Sequence, residues 1–147
     1  MNKTALKNKM VELQQNIISE LEEKVSTTHT MVDIDEEMTH DPEDYSHQYE
    51  SGELESLVKN QLRKAKADLS ELVDIDFSEK SVVEPGAFVQ TEKFNFFVGF
   101  PTVPFDMDGL HIVGVSIASP IFPFMAGKKE GESFEFSGKK YVIKKLI

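Results

Sequence analysis

Asp33-Ile34-Asp35-Glu36-Glu37-Met38-Thr39-His40-Asp41-Pro42-Glu43-Asp44 lies between two long helical patterns and decides how the chain folds. It belongs to a stretch, bounded by Lys24 and Lys59, that carries ten carboxylates, three histidines and no Lys or Arg of its own. Upstream, Leu6, Met10, Leu13, Ile17, Leu21 and Val25 recur at spacings of three and four, one face of a helix. Downstream, Leu54, Val58, Leu62, Ala65, Leu69 and Leu72 repeat the pattern. Neither run contains Gly or Pro, and both are rich in Glu, Lys, Gln and Leu, good helix formers. Neither helix can hide its stripe alone, so the two are expected to pack as an antiparallel coiled-coil hairpin. Two registers are open. Pairing Ile17 with Leu69 puts the apex at Glu43; pairing Ile17 with Leu62 puts it near Thr39. Both are equally apolar and both carry the acids to the tip, where Pro42 breaks the helix.

Charge divides the chain in the same way. Residues 1–79 hold 8 basic and 19 acidic side chains, and residues 80–147 hold 8 and 7. Free nucleic-acid binding is disfavoured, because that affinity comes from Lys and Arg replacing phosphate counterions. With no cysteine, disulfides and thiolate metal sites are excluded. The start, Met1-Asn2-Lys3-Thr4-Ala5, lacks the apolar core of a signal peptide. The longest apolar run, from Leu110 to Gly127, is interrupted by His111, Ser119, Pro120 and Pro123, which argues against a membrane span. A cytoplasmic protein with no membrane association is the expectation.

From Val82 the period shortens. Residues 87–91, 94–100, 110–117, 133–136 and 141–147 are β-branched or aromatic runs. Turn signals separate them at Pro85-Gly86, Pro101 to Pro104, Asp108-Gly109, Gly131 and Ser137-Gly138. Ser119-Pro120 reads as the start of a short helix and Gly127 as its stop. The fold class is therefore α+β: a helical hairpin over 1–74 with an acidic tip near 33–50, a connector over 75–81 and an antiparallel β domain over 82–147. Ten of the eleven Phe residues lie beyond residue 87. Most of them serve a small core, and an excess around Phe96, Phe97, Phe100, Phe105, Phe122 and Phe124 leaves material for an exposed apolar patch.

The acidic tip supports more than one chemistry. His40, Asp41, Asp44 and His47 offer the donor types that hold Zn²⁺ or Mn²⁺. Alternatively, exposed carboxylates share a Mg²⁺ that a partner already holds. The plainest alternative is a solvated loop that only adds solubility. Gly127-Lys128-Lys129 lacks the glycine spacing and Ser/Thr of a phosphate loop, and no nucleophile triad is evident.

The order of these features resembles the bacterial Gre transcript-cleavage factors (GreA/GreB-like elongation factors). The motif likeness runs from Val115-Ser116-Ile117-Ala118-Ser119-Pro120-Ile121 through Ala126-Gly127-Lys128-Lys129-Glu130-Gly131-Glu132 to Tyr141-Val142-Ile143-Lys144-Lys145-Leu146-Ile147. Val83-Glu84-Pro85-Gly86-Ala87-Phe88-Val89 looks like the family's first strand of that domain. The resemblance implies an FKBP-like β domain that grips the rim of the RNA polymerase secondary channel through Ser119, Pro120, Phe122, Phe124, Gly127 and Lys128. It implies a hairpin that reaches toward the catalytic Mg²⁺. Asp41 and Asp44, with Glu43 beside them, match the tip acids that share a Mg²⁺ with the polymerase, so that it cleaves backtracked RNA. On this reading the protein is a monomer with no cofactor of its own. It touches nascent RNA only indirectly and is at most a stimulator of the polymerase's own reaction. Three departures stand at the tip: Asp44 where the family has Glu, Pro42, and Tyr45-Ser46-His47-Gln48-Tyr49 in place of Asn-Ala-Glu-Tyr. The alternatives are a non-enzymatic interaction module on the same scaffold and, further off, a free-standing prolyl isomerase.

Overall fold

A computed structural model describes the main chain of residues 1–38 and 42–147 and the side chains of residues 1–27 and 52–147. The chain divides into two compact units, Met10–Val73 and a second made of Met1–Lys9 with Asp74–Ile147.

The Met10–Val73 unit is helical. Helix α1 runs over Lys3–Met38 and α2 over Pro42–Asp74, about 54 and 50 Å long at roughly 1.5 Å per residue. Proline opens α2, where a helix has no use for the missing N–H. The two pack antiparallel: residues 20–27 of α1 share a hollow with residues 54–61 of α2, and Glu22 reaches Lys66 at 3.8 Å. Met10, Val58, Ala65 and Leu72 are buried, whereas Leu13, Leu21, Val25, Leu62 and Leu69 are only half-buried. Ile17, expected in the seam, is 40% exposed. One polar side chain lies among the buried ones. Gln14 is 8% exposed and its Nε2 donates to the Ala65 carbonyl at 2.9 Å. The small Ala65 side chain leaves room for the amide. Gln14 opposite Ala65 selects the register that sets Ile17 near Leu62, and excludes the pairing with Leu69.

The other unit is built on a mixed six-stranded sheet. Its strands are β1 Phe88–Thr91, β2 Asn95–Val98, β3 Phe105–Met107, β4 Leu110–Val115, β5 Ser133–Phe136 and β6 Lys139–Leu146, in the order β3-β4-β2-β1-β6-β5. As expected the sheet is mostly antiparallel, in four of its five strand pairings; β2 and β4 pair parallel, from Asn95 opposite Ile112 to Val98 opposite Val115. The short β3 makes this possible, because it turns the chain back before β4. Three residues between Pro104 and a turn are too few to show a period, so β3 is absent from the sequence reading. Two hairpins close on two-residue loops, Asp108-Gly109 and Ser137-Gly138, with φ of 53° and 75° and of 54° and 76°. Positive φ at both central positions matches the strand twist.

Alternation gives the sheet two apolar faces. Val89, Phe96, Val98, Val115, Phe134, Tyr141 and Ile143 join Ile121 and Met125 in one core. Phe88 and Phe97, opposite one another in the β1–β2 ladder, are fully buried on the other side. Phe77 stacks on Phe97 there at 4.9 Å, with the Lys7 ammonium 5.5 Å from the Phe77 ring centre.

Helix α3, Phe122–Met125, is a single turn. Its N-cap is Ile121 with no side-chain bond, so the expected Ser119 cap is not made. The Ser119 N–H instead closes a turn on the Ser116 carbonyl, and the Ser119 carbonyl accepts from Phe122. Pro123 sits within the first turn, where a proline is tolerated. Gly127, at φ 75°, ends it as expected.

Candidate functional site

Strands β2, β5 and β6, with Phe94 just before β2, bring rings to one face of the sheet; Phe94 and Phe96, and Phe134 and Phe136, are each two residues apart. Phe96 meets Tyr141 edge-on at 6.1 Å, and Phe134 stacks on Tyr141 at 5.1 Å. Phe94 lies 6.3 Å from Phe96 and 6.4 Å from Tyr141. Phe94, Phe96 and Tyr141 line an open groove of about 340 Å³ together with Val113, Ser119, Pro120, Ile121 and Phe136.

The groove is apolar. Tyr141 is 5% exposed, its ring held among Phe94, Phe96 and Phe134. The Lys93 ammonium sits 5.3 Å from the centre of the same ring, a cation–π contact. Phe94 remains 40% exposed at the edge and Phe124 52%, the latter 5.6 Å from Phe136. Such an arrangement has surface for an apolar or aromatic side chain. It contains no nucleophile–base pair.

The residues singled out in sequence separate here. Ser119 and Pro120 line the groove, and Phe124 extends it through Phe136. Phe122 packs half-buried against the core. Gly127 and Lys128 are used by their main chain: the Gly127 N–H donates to the Val83 carbonyl at 2.9 Å, and the Val83 N–H donates to the Lys128 carbonyl at 2.8 Å. Phe94, Phe136, Tyr141 and Val113 were not singled out. The two-residue spacing of Phe94 with Phe96 and of Phe134 with Phe136 is the signal that finds two of them; Tyr141 and Val113 have no such signal.

Asp41 lies outside the described residues. Glu43 and Asp44 fall within the span of α2, with side chains also outside them, as are the side chains of His40 and His47. Of the ten carboxylates in the acidic stretch, Glu53 and Glu55 have described side chains. Glu53 is exposed and Glu55 pairs with Lys59 at 2.8 Å. Among the described residues no cluster of three His, Asp or Glu could hold a metal ion, and no helix is long and apolar enough to cross a membrane.

No family model and no curated protein matches the chain. Among solved structures it is similar to GreA factor homolog 1 (Gfh1) of Thermus thermophilus, at 12% identity and a TM-score of 0.38, over 93% of this chain and 94% of that one. It is also similar to a structure of the transcription factor Gfh1, at 16% identity and a TM-score of 0.41, over 92% and 93%. At TM-scores below 0.5 these likenesses carry no weight on what the chain does.

Proposed function

We propose that this protein is a transcription elongation regulator that binds RNA polymerase. The β unit docks on the polymerase through the aromatic groove, and the hairpin enters the secondary channel with its acids foremost. Asp41 and Asp44, with Glu43 beside them, then share the polymerase's Mg²⁺ and promote cleavage of backtracked RNA. The protein holds no metal of its own in this scheme. It meets the nascent RNA only at the catalytic centre, acts as a monomer and works in the cytoplasm.

The observation that carries this reading is a division of labour between the two units. The helical unit, Met10–Val73, holds sixteen of the 26 carboxylates, and the β unit opens a ring-lined groove. Ser119 and Pro120, within the segment that resembles the Gre factors, line that groove. A carboxylate delivered to a resident Mg²⁺ works by adding negative ligand charge beside an ion that stabilises the attacking and leaving oxygens.

RNA cleavage in stalled, backtracked complexes tests it. Asp41→Ala and Asp44→Ala should each slow cleavage by about a hundredfold, in the range for one electrostatic stabiliser of a transition state, and leave polymerase affinity within a factor of about two. Loss of affinity in step with activity would remove these two residues from the chemistry.

A further inference from the structure

A two-helix seam covers only part of each apolar stripe, and among the described residues of the helical unit Leu57 is the most exposed large apolar side chain. Leu54 and Leu57 are 44% and 55% exposed on α2. They line a hollow of about 710 Å³ together with Val58, Gln61 and residues Glu20, Glu23, Lys24 and Thr27 of α1. Leu57 also borders a second hollow of about 540 Å³, formed with Gly52, Glu53, Ser56 and Asn60. It therefore stands as a ridge between two depressions, with room on both sides for side chains of an incoming element.

Leu54, Leu57 and Val58 follow the three-and-four spacing of a helix, and ridges at that spacing mesh with grooves of another helix. A third helix laid along this face would complete the burial that two helices leave unfinished. Its charge is set by the surroundings. Glu20, Glu23 and Glu53 are exposed at the rim, and residues 10–73 carry sixteen acidic against five basic side chains. A second copy of this chain would bring an equally acidic hairpin against the first, a like-charge arrangement that opposes pairing.

We propose that the Leu54–Leu57 face of the hairpin docks a basic amphipathic helix of a partner protein, with partner apolar side chains on either side of Leu57 and Lys or Arg against Glu20, Glu23 and Glu53. This does not depend on the polymerase reading, since any partner with such a helix satisfies it.

The probe is an 18-residue synthetic peptide with Leu at helical spacing and Lys on its flanks. It is compared with a scrambled peptide of the same composition, each titrated into the full-length protein at an ionic strength of about 0.15 M, where surface charges are screened beyond roughly 8 Å. The patterned peptide should bind at least tenfold tighter than the scramble and shift amide NMR signals within 20–27 and 52–61. Leu57→Ser and Leu54→Ser, both at exposed positions and so compatible with folding, should each weaken it about tenfold. Circular dichroism confirms that helicity is retained. Equal binding of the scramble, or unchanged affinity in both variants, would reduce the effect to charge alone and overturn the proposal. A concentration-dependent dimer abolished by Leu57→Ser would overturn it too, by giving the face to a second copy.

Discussion

Lys3 directs one ammonium at three main-chain oxygens, those of Gly86, Ile147 and Ser78, at 2.5, 3.0 and 3.2 Å. It ties the first turn of α1 to the connector, to the entry of β1 and to the last residue. Burial, with the nearby Lys80 charge second, pushes its pKa down from 10.5 to about 8, against the pull of Asp76 and Glu79. Between those two values the unfolded chain holds a proton that the folded chain has released. Stability should therefore rise as pH climbs from about 8 to 10.5 and level off above it. Lys3→Met should flatten that rise in urea unfolding measured across the same window; an unchanged slope would assign it to other lysines. Next to it, Asp76 accepts from Lys80 at 2.8 Å and from the Ser78 N–H at 2.9 Å, and these bonds hold its carboxyl well below the usual carboxylate range. Gly86 is the tightest backbone position in this region. Its φ is 95°, and a Cβ there would lie 2.0 Å from the Asp76 carbonyl oxygen. Gly86→Ala should cost about 1–3 kcal/mol from backbone strain alone, read as a lower urea midpoint, and the clash with Asp76 adds to it.

At the scale of elements, the hairpin register is the sharpest claim. In the observed register Thr27 lies near Leu54; in the register that pairs Ile17 with Leu69 it would lie near Lys59. The chain has no cysteine, so introduced pairs report without background. Thr27→Cys with Leu54→Cys should cross-link in the monomer, and Thr27→Cys with Lys59→Cys should not. The reverse result would restore the register that pairs Ile17 with Leu69. The helices themselves were legible because apolar spacing is a local property. Their register was not, because Ile17 meets a leucine either way. It is decided by Gln14 at Ala65, a polar side chain that an apolar pattern passes over, and a lone polar seam residue often fixes register at some cost in stability. The β unit repeats the lesson. The hairpin at Ser137-Gly138 announces itself through its turn, whereas at Asp108-Gly109 the turn is legible and the strand β3 before it is not. The parallel β2–β4 pairing brings together residues 17 apart in sequence, from Asn95 with Ile112 onward, and nothing in either strand specifies its neighbour. The site was legible to a similar degree. Ser119 and Pro120 stood out as a motif, whereas Phe94, Phe136 and Tyr141 become a groove only once β1, β2, β5 and β6 are side by side.

For the molecule as a whole, charge and aromatic surface are kept on different units, and the proposed function needs both. Asp41, Glu43 and Asp44 account for cleavage only if the β unit holds the polymerase, so the binding step comes first in the logic. Groove contacts of the kind described here act by removing apolar and aromatic surface from water, and should persist at salt concentrations that abolish interactions of the acidic hairpin alone. The direct measurement is co-migration of the purified protein with its own core RNA polymerase on gel filtration at near-physiological salt. The account predicts a stoichiometric complex with micromolar or tighter affinity, weakened by Phe94→Ser at the groove edge. Absence of a complex at tens of micromolar protein would contradict it, and would leave the hairpin and its groove-bearing partner unit as an interaction scaffold for some other protein.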